Sequence, residues 1–171
     1  MGKLIRAALI VAIARLPAWA DPAAAIPPYG WLQYCGQSRD PSCDLGRPLT
    51  PEDLAYVQAG IVGQFIPTED PLDSWRAFPD DKTGDCEDYA LSFRAALLSL
   101  GQPSNSMVIV IGKADTAEAS GVHAVLEVQI GPDVWVLDSL TDHIYRPGAG
   151  PYQFTEEARQ VPSQVKWRMA K

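Results

Sequence analysis

The chain changes hydrophobic period once, near Gly101, and that change restricts its fold more than any other feature. Before it, apolar residues recur at helical spacing. Thr50 is placed to cap a helix with Pro51 at its first position and Glu52 and Asp53 in its first turn. Leu54, Val57 and Ile61 form its apolar stripe, and Gly63 lies near its end. A second helix is expected from Cys86, with Asp85 as its cap and Asp88 completing a capping box. Its core-facing stripe is Cys86, Ala90, Phe93, Leu97 and Leu100, and Gly101 is placed to stop it. Beyond Gly101 the segments Ser106 to Ile111, Val122 to Ile130 and Val134 to Leu137 are β-branched and apolar, the last two joined by the turn Gly131-Pro132-Asp133. Ile144 to Arg146 and Val165 to Met169 add two further candidate strands. Helices followed by antiparallel strands give an α+β fold, the helices packed on one face of the sheet.

The first twenty residues are laid out as a secretory signal peptide: Lys3 and Arg6, an apolar run from Ala7 to Ala14, then Ala18-Trp19-Ala20 before Asp21. The apolar run is shorter than the roughly 20 residues a bilayer span needs, so no stable membrane span is expected. Cleavage near Ala20 would send residues 21–171 to the periplasm or the medium as a single domain, a monomer of ordinary size. Lys3, Arg6 and Arg15 leave with the leader, so 11 basic residues remain against 21 acidic and the charge moves from −7 to −10. Such a surface argues against nucleic acid, which is bound by neutralising phosphates with Lys and Arg. Residues 21 to 48 are rich in Pro, Gly and Ala without sustained period and read as an extended arm; Ile66 to Lys82, with Pro67, Pro71 and Pro79, reads as a surface connection.

Three cysteines divide unequally. Cys35 and Cys43 are close enough to close a small disulfide loop in an oxidising compartment. Zinc is the alternative for this pair, but a structural site takes four ligands and only His123 and His143 offer nitrogen. Cys86 is then left over, either a buried hydrophobe or a reactive thiol.

Position favours reactivity. A thiol at a helix N-terminus feels the partial positive charge of unpaired backbone N–H groups, which favours the thiolate. A base must lie within reach, and the base needs an acceptor to orient it. His123 is a polar residue among mostly apolar neighbours in the strand Gly121 to Val128, and Asp138 closes the next strand. With the turn near residue 131, positions 123 and 138 fall close to opposite each other. Cys86, His123 and Asp138 therefore make a candidate nucleophile, base and orienter. His143, in the turn-like Thr141-Asp142-His143, is the rival base.

The string Gly84-Asp85-Cys86-Glu87-Asp88-Tyr89-Ala90, followed by His123-Ala124-Val125-Leu126 and Val136-Leu137-Asp138, resembles the bacterial transglutaminase-like cysteine peptidases, which include the LapG-type periplasmic proteases that clip adhesins from biofilm-forming cells. Tyr34-Cys35 with Cys43, Trp75, Pro79 and Trp167 extend the likeness over most of the residues after the leader. The resemblance implies a papain-like or transglutaminase-like core with the same triad, no organic cofactor, and a protein substrate such as a surface adhesin. It also implies calcium, held by the acids flanking the cysteine, here Asp85 and Glu87; these oxygens suit that hard ion, although it takes 6 to 8 ligands. Two departures stand out. Ser139 follows Asp138 where asparagine is frequent, and Val57-Gln58 replaces a Val-Asn pair, a change that bears on substrate contacts.

A peptidase would attack a peptide carbonyl with Cys86, with the backbone N–H groups of the helix start stabilising the oxyanion and the Trp75 indole as a candidate second donor. A transglutaminase or other acyl transferase would use the same triad and pass the acyl group to an amine. A non-catalytic binding module would keep the fold alone.

Overall fold

The computed structural model describes residues 28–38, 40–69, 74–116, 120–162 and 164–170; the expected signal peptide lies outside them. Three helices carry most of the core: α1 (Tyr29–Ser38), α2 (Pro51–Val62) and α3 (Cys86–Ser99). Thr50 and Asp53 close a reciprocal capping box on α2, which ends at Gly63 as its sequence predicts. α3 ends at Ser99, and Gly101 takes the left-handed conformation (φ 102°) that lets the chain leave the helix. Ala90, Phe93, Leu97 and Leu100 are all buried along the predicted stripe.

The expected extended arm contains a helix instead. α1 buries Leu32 and Cys35 against α2 and α3, and two glycines in ten residues disguise it. Gly36 is there for a packing reason, because the ring of Phe78 lies where a Cβ would project. Cys35 is disulfide-bonded to Cys43, which tethers α1 to the short 3₁₀ turn Pro41–Cys43.

Two residue pairs, β1 (Ile66–Pro67) and β2 (Thr83–Gly84), run parallel and bring the long connection back to the start of α3. The main sheet holds β3 (Met107–Asp115), β4 (Ser120–Ile130), β5 (Asp133–Leu137), β6 (Gln153–Gln160) and β7 (Trp167–Met169), in the antiparallel order β5-β4-β3-β6-β7. Segment Ile144 to Arg146 forms only one bridge, between Tyr145 and Val136, because loop residues flank it on both sides. β6 was not expected from the sequence, since Gln153-Phe154-Thr155-Glu156-Glu157-Ala158-Arg159-Gln160 has too few apolar residues to show a strand period.

β4 is buried on both faces. Ala124, Leu126 and Val128 face the helices in the main core, while Val125 joins Val110, Val136 and Tyr145 in a smaller cluster on the other face. That explains the consecutive apolar residues Ala124-Val125-Leu126 at its centre. The arrangement is the α+β fold predicted, with the helices on one face of an antiparallel sheet.

Candidate active site

The site forms where β5 stops short. β5 pairs with residues Leu126 to Ile130 of β4, so the preceding stretch from Ser120 to Val125 has β3 as its ladder partner and an open edge on its other side. The N-terminus of α3 packs at that edge. The backbone N–H of Ala124 donates to the sulfur of Cys86 there. Cys86 and His123 line one cleft of about 260 Å³, together with Pro67, Thr68, Gly84 and Leu140.

His123 is buried, and its Nε2 lies 2.8 Å from Oδ1 of Asp138. The register is not the one the turn suggested. Ile130 pairs with Asp133 and Leu126 with Leu137, so the hairpin has a two-residue turn and residue 138 falls beside Val125. His123 and Asp138 are therefore diagonal neighbours, and the histidine reaches the carboxylate across that offset.

Asp138 is held from several sides. The backbone N–H of Leu140 donates to Oδ1 at 2.9 Å, Tyr145 Oη donates to Oδ2 at 2.6 Å, and Tyr152 Oη also donates to Oδ2. Its own backbone N–H donates to Oε1 of Gln58 at 3.0 Å, while Gln58 Nε2 donates to the carbonyl of Thr141 at 3.0 Å. Burial alone would push the Asp138 carboxyl up, but the hydrogen bonds from His123, Tyr145 and Tyr152 outweigh it and hold it below the ordinary carboxylate value. Gln58, Tyr145 and Tyr152 were not singled out as partners of Asp138 from the sequence. Gln58 appeared there only as a departure bearing on substrate contacts; its buried position under the Asp138 turn gives it a structural task instead. No local motif could have revealed this, because the three lie 80, 7 and 14 residues from Asp138.

The thiol differs from expectation. Its proton goes to Oε2 of Glu87 at 3.2 Å. Burial and then the bond to Glu87 push the Cys86 thiol up to about 12; the Ala124 N–H pulls it down, and the charges of Glu87 and Asp85 add smaller upward pushes. The helix N-terminus thus does not produce a standing thiolate, because desolvation and two adjacent carboxylates oppose it.

The start of α3 is also built differently from its expected capping box. Asp85 sits at the N-cap position without a side-chain capping bond. Asp88 is fully buried and accepts from the backbone N–H of Arg76 at 2.6 Å and from its Nη2 at 3.0 Å, so it anchors the incoming connection instead of the helix cap. A Cβ on Gly84 would come within 2.8 Å of the Asp88 side chain, which accounts for the glycine before Asp85-Cys86.

Trp75 packs edge-on against Trp167, ring centroids 5.9 Å apart, and is not among the residues lining the cleft. His143 is exposed and bonded to Asp142, and it is His123, not His143, that lines the cleft with Cys86. Asp85 and Glu87 offer the hard oxygen donors that calcium takes. Among the described residues, however, no three His, Cys, Asp or Glu side chains converge as a metal cage, so the fit is one of donor kind and not of donor number.

A buried carboxylate–imidazole pair beside a cleft cysteine, on helices packed over an antiparallel sheet, defines a thiol hydrolase or acyl transferase of the transglutaminase-like class. Residues 64–170 match the family model of bacterial transglutaminase-like cysteine proteinases, and the chain belongs to that family. It is a cysteine peptidase by that membership. No curated protein sequence matches it. Among solved structures it is similar to calcium-bound LapG of Legionella pneumophila, with 23% identity over 84% of this chain and 88% of that one and a TM-score of 0.61. EGTA-treated LapG of the same organism gives 22% identity, 86% and 88% coverage, and a TM-score of 0.58. At these identities the likeness establishes the transglutaminase-like fold.

Proposed function

We propose that this chain is an exported peptidase that cleaves a protein substrate, an adhesin of the cell surface, through Cys86, His123 and Asp138. The observation that carries this reading is the shared cleft of Cys86 and His123, with His123 bonded on its far side to Asp138. Nε2 is committed to the carboxylate, which leaves Nδ1 to take the thiol proton as sulfur attacks the scissile carbonyl. The S–C bond forms, the C–N bond breaks, and the imidazolium returns its proton to the leaving amine. Water then attacks the thioester, gives up a proton through His123 and restores the thiol. Backbone N–H groups at the start of α3 supply the oxyanion donors.

Calcium belongs to the same proposal. Asp85 and Glu87 would hold the ion, and its positive charge would offset the two carboxylates that now keep the thiol protonated. Residues 1–20 are proposed as the cleaved leader of a single-domain protein that works in the periplasm or outside the cell.

Proteomics of the exported fraction tests the assignment by comparing wild type with Cys86→Ser, each with and without a calcium chelator. Fragments present only in calcium-replete wild type support it, and identical profiles overturn it. Incubation with a glutamine substrate and a labelled amine addresses the outcome of the thioester; amine incorporation would replace hydrolysis by acyl transfer.

A further inference from the structure

Asp138 has more hydrogen-bond donors than an orienting carboxylate needs. Its Oδ1 is filled by His123 and the Leu140 N–H, and both tyrosine hydroxyls converge on Oδ2. The two tyrosines are not equivalent. Tyr145 is buried, and its backbone is pinned to Val136 by hydrogen bonds of 2.7 and 3.3 Å. Tyr152 is only partly buried on the loop before β6, and its ring meets the His123 ring edge-on with centroids 6.3 Å apart. Tyr152 therefore touches both members of the pair, whereas Tyr145 touches the carboxylate from a fixed frame.

We propose that Tyr152 is a positioning residue of the site, holding the Asp138 carboxylate in the rotamer that presents Oδ1 to His123 while its ring edge limits the tilt of the imidazole. This rests on the triad assignment and adds to it a residue that the family string around Cys86 does not contain. The groups facing Asp138 are His123 from β4, the two tyrosines from the loop after β5, and the uncharged Gln58 from α2; Cys86 faces the same region from α3. His123 is bonded directly to the carboxylate that Tyr152 holds, so its NMR signals report the clamp.

Tyr152→Phe keeps the ring and removes the donor. Its effect is read by kcat and KM on a protein substrate and, in a Cys86→Ser background, by the NMR titration of His123. Loss of one of two donors to the charged oxygen is expected to lower kcat about tenfold, leave KM within about twofold, and shift the His123 midpoint. Tyr145→Phe, with its backbone still pinned, tests whether the second donor acts alike. Wild-type kcat and an unmoved His123 titration in Tyr152→Phe, with Asp138→Asn inactive, would overturn the clamp while leaving the triad standing. Full turnover in Asp138→Asn would overturn both.

Discussion

The two halves of the site are built in opposite ways. At the Asp138 end, carboxylate, imidazole, Gln58 and two tyrosines are joined in one hydrogen-bonded set that is complete in the resting protein. At the Cys86 end, the thiol is turned to Glu87, in a setting that favours its neutral form. Under the mechanism proposed above, the difference teaches that the fold presets the base and its orienter, whereas the nucleophile must be released. Rebuilding a buried carboxylate–imidazole network would be costly, so it is arranged during folding; re-aiming one thiol proton from Glu87 toward His123 is a small local change.

The largest effect that sharpens this contrast is loss of the preset half. Asp138→Asn keeps the shape and removes the anion that orients His123, and turnover is expected to fall about 10²- to 10⁴-fold, measured as kcat on a protein substrate. An unchanged rate would remove Asp138 from the mechanism. Next is Gln58→Leu, which leaves the Asp138 N–H buried without its acceptor. A loss of about 1–3 kcal/mol is expected in urea unfolding, together with reduced activity, because the Asp138 turn loses its tie to α2. Stability without that loss would show the turn holds its own shape.

The nucleophile half gives a pH prediction. The thiol has a folded value near 12 against an ordinary 9.0, so its stabilising contribution is complete below about pH 9 and is lost as pH rises toward 12. Denaturant midpoints of wild type should fall across that alkaline window more steeply than those of Cys86→Ala, and parallel curves would contradict the burial of the neutral thiol. Asp138 acts in the other direction. Its folded value lies below the ordinary 3.8, so its contribution is present at neutral pH and disappears as pH drops through the acid range below about 4. The smallest effect on catalysis comes from a place remote from both halves. Reduction of Cys35–Cys43 should cost about 2–4 kcal/mol of stability without changing the kcat of the folded enzyme, since the bridge ties α1 and not the cleft.

The contrast also explains what the sequence made legible. The meeting of Cys86, His123 and Asp138 was readable because a helix start, a polar residue among apolar neighbours and a strand end each leave a local mark. α2, α3 and the β4–β5 hairpin were readable from caps, period and turn residues. α1 was hidden by its glycines, one of which makes room for Phe78, and β6 by its charged residues, of which Glu156 and Arg159 pair with each other and Arg159 also with Glu127 across the sheet. The masking of the thiol was not legible either. Glu87 entered as a calcium donor, and only the depth at which α3 meets the open edge of β4 shows that burial defeats the helix terminus. The clamp on Asp138 depends on residues brought together by tertiary contact, which no spacing rule encodes.

The most direct test of a preset base facing a withheld thiol is the pH dependence of Cys86 alkylation in chelator-treated protein, comparing wild type, Glu87→Gln and Glu87→Gln with His123→Ala. Wild type should react slowly at neutral pH, Glu87→Gln should react faster with its midpoint moved down, and removal of His123 should cancel much of that gain. A wild-type thiol titrating near its ordinary value, indifferent to both substitutions, would contradict the account.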